Sequence, residues 1–401
     1  MKRFGKIILI IMFLAIIFII PVITKLEKNL EISQFENRRL AEVPVFTMDS
    51  LQNGEYFSKW ETYLSDHIYG RNNWIKGFTY INMTILGKSN INNIVFGKDG
   101  FLLPYFAYDE KYEIINSEEN LSKMAKQLKE LQNKLDQTGG KVYFVGVPSQ
   151  ASYHRTDYPT HLQNKSQLMN KTEKLMFGKL DQLGVPYINM NDVFHRTQGV
   201  EYYYKTDHHY NFEGAYATYY EIIKTIQQKD NYKINAPFEK TDLDIVTLSN
   251  PFGGSRNRQV YYMFPTKEQI KIAYPKNKIL YEKFNNGKPD NRLYYLSKNE
   301  SALINYSVYM GGDWAETVIR TNNNKLPNLL IFGDSFSNAI EPLIYTHFNE
   351  TRILDLRYYN KMSLYEYVDE YNPDIVLMVR DDLNYGSLEG NGDFKGVNSK
   401  K

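Results

Sequence analysis

Leu329-Leu-Ile-Phe-Gly-Asp-Ser-Phe336 decides the fold. Leu329 to Phe332 carries no polar residue on either face, the mark of a strand buried on both sides in the middle of a parallel sheet. Gly333-Asp-Ser335 then supplies the turn that lets such a strand leave the core. In open α/β sheets the carboxyl ends of the strands face the ligand crevice, so Ser335 is placed where a hydroxyl meets substrate. Its own N–H, with the first amides of the segment that follows, would face an oxyanion there. Asp and Ser also serve as ordinary helix caps, so this stretch alone does not establish chemistry.

The flanking sequence alternates in the same sense. Leu121, Met124, Leu128, Leu131 and Leu135 recur every three or four residues. That spacing predicts a helix opened by Ser117 and stopped by Gly139-Gly140. Lys141-Val-Tyr-Phe-Val-Gly-Val147 reads as a buried strand, residues 166–183 as a helix and Tyr187-Ile-Asn189 as a short strand. A helix starts near Asn211, another covers residues 339–347, and further strands fall at residues 352–356 and 374–379. Strands alternating with helices predict an α/β fold, a parallel sheet flanked by helices. The alternation lapses at residues 235–325, which read as an insertion of irregular and antiparallel structure. Gly97-Lys-Asp-Gly100 reads as a tight turn between Ile94-Val-Phe96 and Phe101-Leu-Leu103. The main domain is expected over residues 116–385. Residues 25–115 would be an extension packing on it, and the polar, Gly-rich residues 386–401 a disordered tail.

Composition removes several classes of function. The formal net charge of the 401 residues is +2, too small for a nucleic-acid footprint. There is no cysteine, which rules out thiol nucleophiles, disulfides and cysteine-ligated metals. The 34 tyrosines suit stacking on sugar rings, but Lys, Asn, Ile and Tyr are all abundant, as an AT-rich genome would make them. A basic start, Met1-Lys-Arg-Phe-Gly-Lys6, precedes unbroken apolar sequence from Ile7 to Ile23. That predicts a transmembrane anchor in residues 1–24 with the remainder exported. A cleaved signal peptide is the alternative.

The second chemical segment is Tyr204-Lys-Thr-Asp-His-His-Tyr210. A carboxylate beside imidazoles can fix a tautomer and leave the other ring nitrogen free to take a proton, and Ser335 would complete a nucleophile–base–acid set. Zinc is the rival reading, but three consecutive ligands converge poorly on one ion, and no metal or other cofactor is expected. Pro148-Ser-Gln150 follows a strand end and would place Ser149 along the cleft. Gly253-Gly-Ser-Arg256 would be a flexible loop near the acceptor. Arg380, after the last strand, would bind an anionic group or pair with Asp381 or Asp382. Trp314 would stack on a sugar or pack internally.

Thr206-Asp-His-His-Tyr210 followed by Asn211-Phe-Glu-Gly-Ala215 resembles the signature of the DHHW family, with Tyr210 where tryptophan is usual. Glu36-Asn-Arg38 with Leu40-Ala41, Asp66-His67 with Arg71, and Phe332-Gly-Asp-Ser335 fit the same family in the same order. That family is similar to the SGNH-like polysaccharide O-acetyltransferases of alginate biosynthesis. The resemblance implies a permuted SGNH-hydrolase-like fold with the Asp/His pair ahead of the serine. It implies Ser335 as nucleophile, His209 as base and Asp207 as its orienting acid. Tyr210 and Gly333 are expected beside the substrate. It further implies a polysaccharide acceptor and a membrane-bound O-acyltransferase that delivers the acetyl group. An acetylesterase with the same residues, or a non-catalytic binding protein of degenerate SGNH fold, are the alternatives.

Overall fold

The computed structural model describes residues 2–26, 30–33, 35–36, 38–106, 110–229 and 232–396. Asn37 of the Glu36-Asn-Arg38 motif, and residues 397–401, lie outside these. The chain forms two compact units: Met1–Asn92 with Asn257–Pro265, and Asn93–Arg256 with Thr266–Lys401. The second unit therefore begins earlier than the expected residue 116. Its opening hairpin pairs Ile94 with Pro104 and Phe96 with Leu102 around the expected Gly97–Gly100 turn. Ile94, Val95, Leu102 and Leu103 are fully buried, and Val95 and Leu103 join the core of the second unit.

Eight strands form the sheet of the second unit. They are β1 (Lys141–Val147), β2 (Tyr187–Asn189), β3 (Glu282–Asn285), β4 (Lys288–Pro289), β5 (Glu316–Arg320), β6 (Leu329–Gly333), β7 (Glu350–Leu354) and β8 (Ile375–Asp381). Their spatial order is β4-β3-β5-β7-β6-β8-β1-β2. From β7 to β2 all pairings are parallel, with β6 between β7 and β8. From β7 outward to β5, β3 and β4 they are antiparallel, so the sheet is mixed rather than parallel throughout. The reason is visible in β5, whose Val318 and Ile319 are flanked by Thr317 and Arg320. Alternate residues are buried, a pattern that suits antiparallel pairing at the side of a sheet. Residues 235–325 thus extend the sheet, besides forming a separate antiparallel pair, Leu243–Thr247 with Lys271–Pro275.

Strand alternation divides the core into two. Leu329, Ile331, Leu377, Val379, Tyr143 and Val145 face the layer holding the helix Phe212–Lys229. Leu330, Phe332, Val376, Met378, Val142 and Phe144 face the helices Glu118–Leu135, Ser166–Leu183 and Leu364–Tyr371. Leu121, Met124, Leu128, Leu131 and Leu135 are the buried stripe of the first of these, and the Ser117 hydroxyl caps its start. Each such leucine contributes about 1.5–3 kcal/mol by leaving water. Many tyrosines serve this packing directly: Tyr143, Tyr203, Tyr210, Tyr219 and Tyr385 are among the largest fully buried side chains.

Two further expectations change. The helix expected at residues 339–347 is broken into Ser335–Ala339, Glu341–Ile344 and Tyr345–His347. Pro342 lacks an N–H and interrupts the helical ladder there. Residues 386–396, expected to be disordered, are packed. Phe394 is fully buried. The Asn391 side chain accepts from the Leu356 N–H (2.6 Å) and donates to the Gly333 carbonyl (2.5 Å). Satisfying two buried main-chain groups outweighs the polar composition of the segment.

The first unit contains one helix, Phe4–Leu26, long and apolar enough to cross a membrane, the only one among the described residues. Helices Met48–Gln52, Glu55–His67 and Arg71–Tyr80 follow. The motif residues of this unit converge on Asp66. Arg38 donates to both its oxygens (2.8 and 2.5 Å) and the Ala41 N–H donates at 2.9 Å. Arg71 holds Glu36 at 2.7 Å, and His67 Nε2 lies 2.8 Å from the Ala41 carbonyl. The hydrogen bonds from Arg38 hold the Asp66 carboxyl down at about 2, against its ordinary 3.8. A depressed carboxylate stabilises the fold above its unfolded value and loses that contribution as pH falls through the folded one. Asp66→Asn is expected to cost about 1–3 kcal/mol, in the lower part of that range because Arg38 is half exposed. It should also flatten the loss of stability between the ordinary value of 3.8 and about 2. Thermal unfolding across that pH range measures both.

Candidate active site

β6 ends at Gly333 with φ +138°, and an added Cβ would lie 1.9 Å from the Val379 carbonyl of neighbouring β8. The Asp334 N–H then donates to that carbonyl at 2.8 Å, which swings Ser335 out at the carboxyl edge of the sheet. Ser335 opens a short 3₁₀ turn and is half-buried.

The second segment arrives as a narrow loop closed by a bridge between Tyr203 and Tyr210. His209 Nε2 lies 2.7 Å from Ser335 Oγ, and His209 Nδ1 lies 2.7 Å from Asp207 Oδ1. Hydroxyl, imidazole and carboxylate therefore stand in line, across 126 positions of sequence. The His209 N–H also donates to Asp207 Oδ1 (3.0 Å), and the Ser255 N–H to Asp207 Oδ2 (2.6 Å). Burial alone would raise the Asp207 carboxyl. Charge on His209, the hydrogen bond from His209 and the Ser255 N–H override it and hold Asp207 well below the usual carboxylate range. A carboxylate kept ionised in this position could stabilise an imidazolium were His209 to take a proton.

Three supports were not legible in the sequence. Tyr306 lies flat on His209, with ring centroids 3.8 Å apart and planes 2° apart. Glu268 accepts from the Lys205 N–H (2.5 Å), the Thr206 N–H (3.0 Å) and the Thr206 hydroxyl (2.6 Å), pinning the start of the loop. Ser255 braces Asp207 through its N–H while its hydroxyl meets His208 Nδ1 at 2.8 Å. Gly253-Gly-Ser-Arg256, expected to be flexible, is instead held against the loop of Asp207. An added Cβ on Gly254 would lie 2.2 Å from the Thr206 carbonyl, so only glycine lets the two segments meet. Tyr306 and Glu268 carry no local motif, and Gly253-Gly-Ser-Arg256 marked Ser255 only as part of a loop.

Other expected residues move. Tyr210 is fully buried and its hydroxyl donates to the Phe336 carbonyl, so it holds the chain next to the serine instead of facing substrate. Gly333 shapes the turn and packs against β8. Ser149 is buried, with its N–H on Asp382 (3.0 Å) and its hydroxyl capping the short helix Gln150–Tyr153. Gln150 braces the loop from below, donating to the Tyr204 carbonyl (2.7 Å) and accepting from Arg256 (2.8 Å). Arg380 is only 2 % exposed, with its Nε 3.9 Å from Asp334, so it faces the turn residue beside Ser335 and not an anionic ligand in solvent. The Trp314 indole donates to the Met310 carbonyl (3.0 Å) and lines a small cavity with Asp334, Ser337 and Glu341.

Asp207, His208 and His209, expected to converge poorly on one ion, have ligand atoms within 4.8 Å of one another. An ion there would compete with the His209–Asp207 hydrogen bond, which engages Nδ1 and leaves Nε2 directed at Ser335.

Glu341 sits beneath the serine turn, buried and accepting from the Ser337 hydroxyl at 2.7 Å. Burial pushes its carboxyl up to about 7, with Asp313 and Asp355 adding to the rise, while Ser337 and Lys283 oppose it. Between the ordinary 4.5 and about 7 the folded chain keeps a proton that the unfolded chain has released. Stability therefore falls as pH rises through that window. Glu341→Gln is expected to remove this slope, worth on the order of 3 kcal/mol across the window, as read by thermal unfolding at successive pH values.

Residues 94–251 match the family model of the SGNH hydrolase-like domain of the acetyltransferase AlgX. The fold is SGNH hydrolase-like. Among solved structures the SGNH-like chain is similar to Bacillus cereus PatB1, at 25% identity and a TM-score of 0.62 over 73% of this chain and 96% of that one. A structure of PatB1 with a sulfonyl adduct is similar at 24% identity and a TM-score of 0.63, over 76% and 98% of the two chains. A DHHW family protein from Eubacterium siraeum is similar at 19% identity and a TM-score of 0.55, over 74% and 93%. No curated protein matches the sequence.

Proposed function

We propose that this chain is an extracytoplasmic O-acetyltransferase that modifies a cell-surface or secreted polysaccharide through an acyl-serine. The observation that carries the reading is the continuous line Ser335 Oγ, His209 Nε2, His209 Nδ1, Asp207 Oδ1, with both contacts at 2.7 Å. The similarity to an acetyltransferase domain supplies the acyl group, since the geometry alone would serve any acyl transfer.

Ser335 Oγ attacks the carbonyl carbon of an acetyl donor as its proton passes to His209 Nε2. The carbonyl oxygen becomes an oxyanion facing the Ser335 N–H and the start of the 3₁₀ turn. As the carbonyl re-forms, the bond to the leaving group breaks and His209 returns the proton to it. A sugar hydroxyl then gives its proton to His209 and attacks the acetyl-serine. Collapse of the second tetrahedral intermediate releases the acetylated sugar and restores the Ser335 hydroxyl. Throughout, Asp207 keeps His209 in the productive tautomer, and the stacked Tyr306 limits rotation of the ring. No cofactor takes part. The N-terminal apolar helix anchors the protein, and a membrane-bound O-acyltransferase brings the acetyl group to the outer face.

The test uses an acetyl-ester donor with oligosaccharide acceptors and measures acetyl-glycan against free acetate. Transfer that requires Ser335 supports the proposal. Acetate release with no transfer to any acceptor makes the chain an esterase. The PatB1 structure with a sulfonyl adduct suggests a second reporter, a sulfonyl fluoride, which is expected to label Ser335. No label with an intact fold would favour a binding protein without catalysis.

A further inference from the structure

Among the exposed apolar residues of the first unit, four lie in one row. On the helix Arg71–Tyr80 and the π-helical turn Ile81–Ile85 that continues it, Trp74, Phe78, Ile81 and Ile85 are spaced four, three and four residues apart. That spacing puts them along one side of a helix. They are 65, 60, 47 and 68% exposed, whereas Thr79 and Asn82 of the same segment are buried. A soluble surface does not ordinarily set four large apolar side chains in a row.

The start of this row is tied to the N-terminal helix. The Tyr69 N–H donates to the Thr24 hydroxyl at 3.0 Å, and Thr24 belongs to the last turn of the helix that ends at Leu26. The Trp74 indole in turn donates to the Tyr69 carbonyl at 3.2 Å. The apolar helix has 23 residues. At the usual rise that is about 35 Å, against a hydrocarbon core of about 30 Å. A helix that spans therefore delivers Thr24, Tyr69 and Trp74 to the level where lipid acyl chains meet headgroups. Tyrosine and tryptophan favour that depth, their rings apolar and their polar atoms able to reach water.

We infer that the Trp74, Phe78, Ile81 and Ile85 face lies on the outer surface of the membrane that the N-terminal helix enters, its apolar side sunk among the upper acyl chains. This rests on the reading of that helix as an anchor. The segment then fixes how the first unit meets the bilayer, where a single spanning helix would leave it free to swing.

The absence of cysteine makes the test direct. Trp74→Cys, Phe78→Cys and Ile85→Cys are made singly in the full chain and labelled with an environment-sensitive thiol fluorophore. Each is reconstituted in phosphatidylcholine–phosphatidylglycerol vesicles that carry a doxyl quencher on the upper acyl chain. Phe13→Cys reports on the N-terminal helix itself, with the doxyl group at mid-chain, and Lys298→Cys on a water-exposed site in the second unit. An unchanged thermal midpoint shows that each variant is folded. Labels at positions 74, 78 and 85 are expected to lose most of their emission, as at position 13, while position 298 keeps its own. Loss at 13 alone overturns the inference and leaves the anchor standing, with the face in water or beneath a second protein. Loss at neither 13 nor the face overturns the anchor and the inference together.

Discussion

Ser335→Ala is expected to lower acetyl transfer on the order of 10,000-fold and to abolish labelling by a sulfonyl fluoride, with the thermal midpoint unchanged. Ser335 is half-buried at the sheet edge, and only its hydroxyl meets His209. Removing one oxygen there leaves no cavity in the core and strands no fully buried partner. Ser337→Ala is the control. Ser337 stands two residues away and bonds Glu341, not His209, so labelling should persist. Asp207→Asn should approach the same loss of rate for a different reason. The carboxylate that fixes the His209 tautomer is gone, and an amide facing the ring favours the wrong one. Unlike Ser335→Ala, it should leave the serine in place and still slowly labelled. The two variants therefore separate loss of the nucleophile from loss of the group that orients its base.

Gly333→Ala is expected to unfold the second unit or to destabilise it by about 3 kcal/mol or more. The added Cβ would sit 1.9 Å from the Val379 carbonyl, and Val379 lies in β8, hydrogen-bonded on both sides. A central strand has no room to retreat. The φ of +138° also lies in a region that residues with a Cβ rarely adopt. The Gly333 carbonyl further holds Asn391, so a shift at this turn disturbs the packed C-terminal segment as well. Chemical denaturation of the purified variant measures the effect.

The parallel centre of the fold was legible because its strands are apolar without a break. β1, β6 and β8 each read as buried sequence, and the helix before β1 declared itself by the spacing of Leu121 to Leu135. The antiparallel character of residues 235–325 was legible too, but not that β3 to β5 would join the main sheet, since they are short and half-exposed and their place depends on β7. Of the site, Ser335, His209 and Asp207 could be nominated because each stands in a compact run of chemical side chains. Ser255, Glu268 and Tyr306 could not. Two of them act on the loop through main-chain N–H groups or act through one, and Tyr306 through the flat of a ring, none of which leaves a trace in local sequence. Arg380 and Tyr210 show the converse. Their residue types suit ligand binding, but burial turned each to support the turns that carry Ser335 and His209.

The separation of His209 from Ser335 has a consequence for how the protein is made. On the proposed function, until β6 has taken its place between β7 and β8 Ser335 would lack His209 as its base, and an alcohol without one is scarcely nucleophilic. A chain emerging from the ribosome, or threaded through a translocon, would then be chemically silent toward every activated ester it meets. On the proposed function, reactivity would switch on only with completion of the second unit, which would confine acyl capture to the compartment where folding finishes.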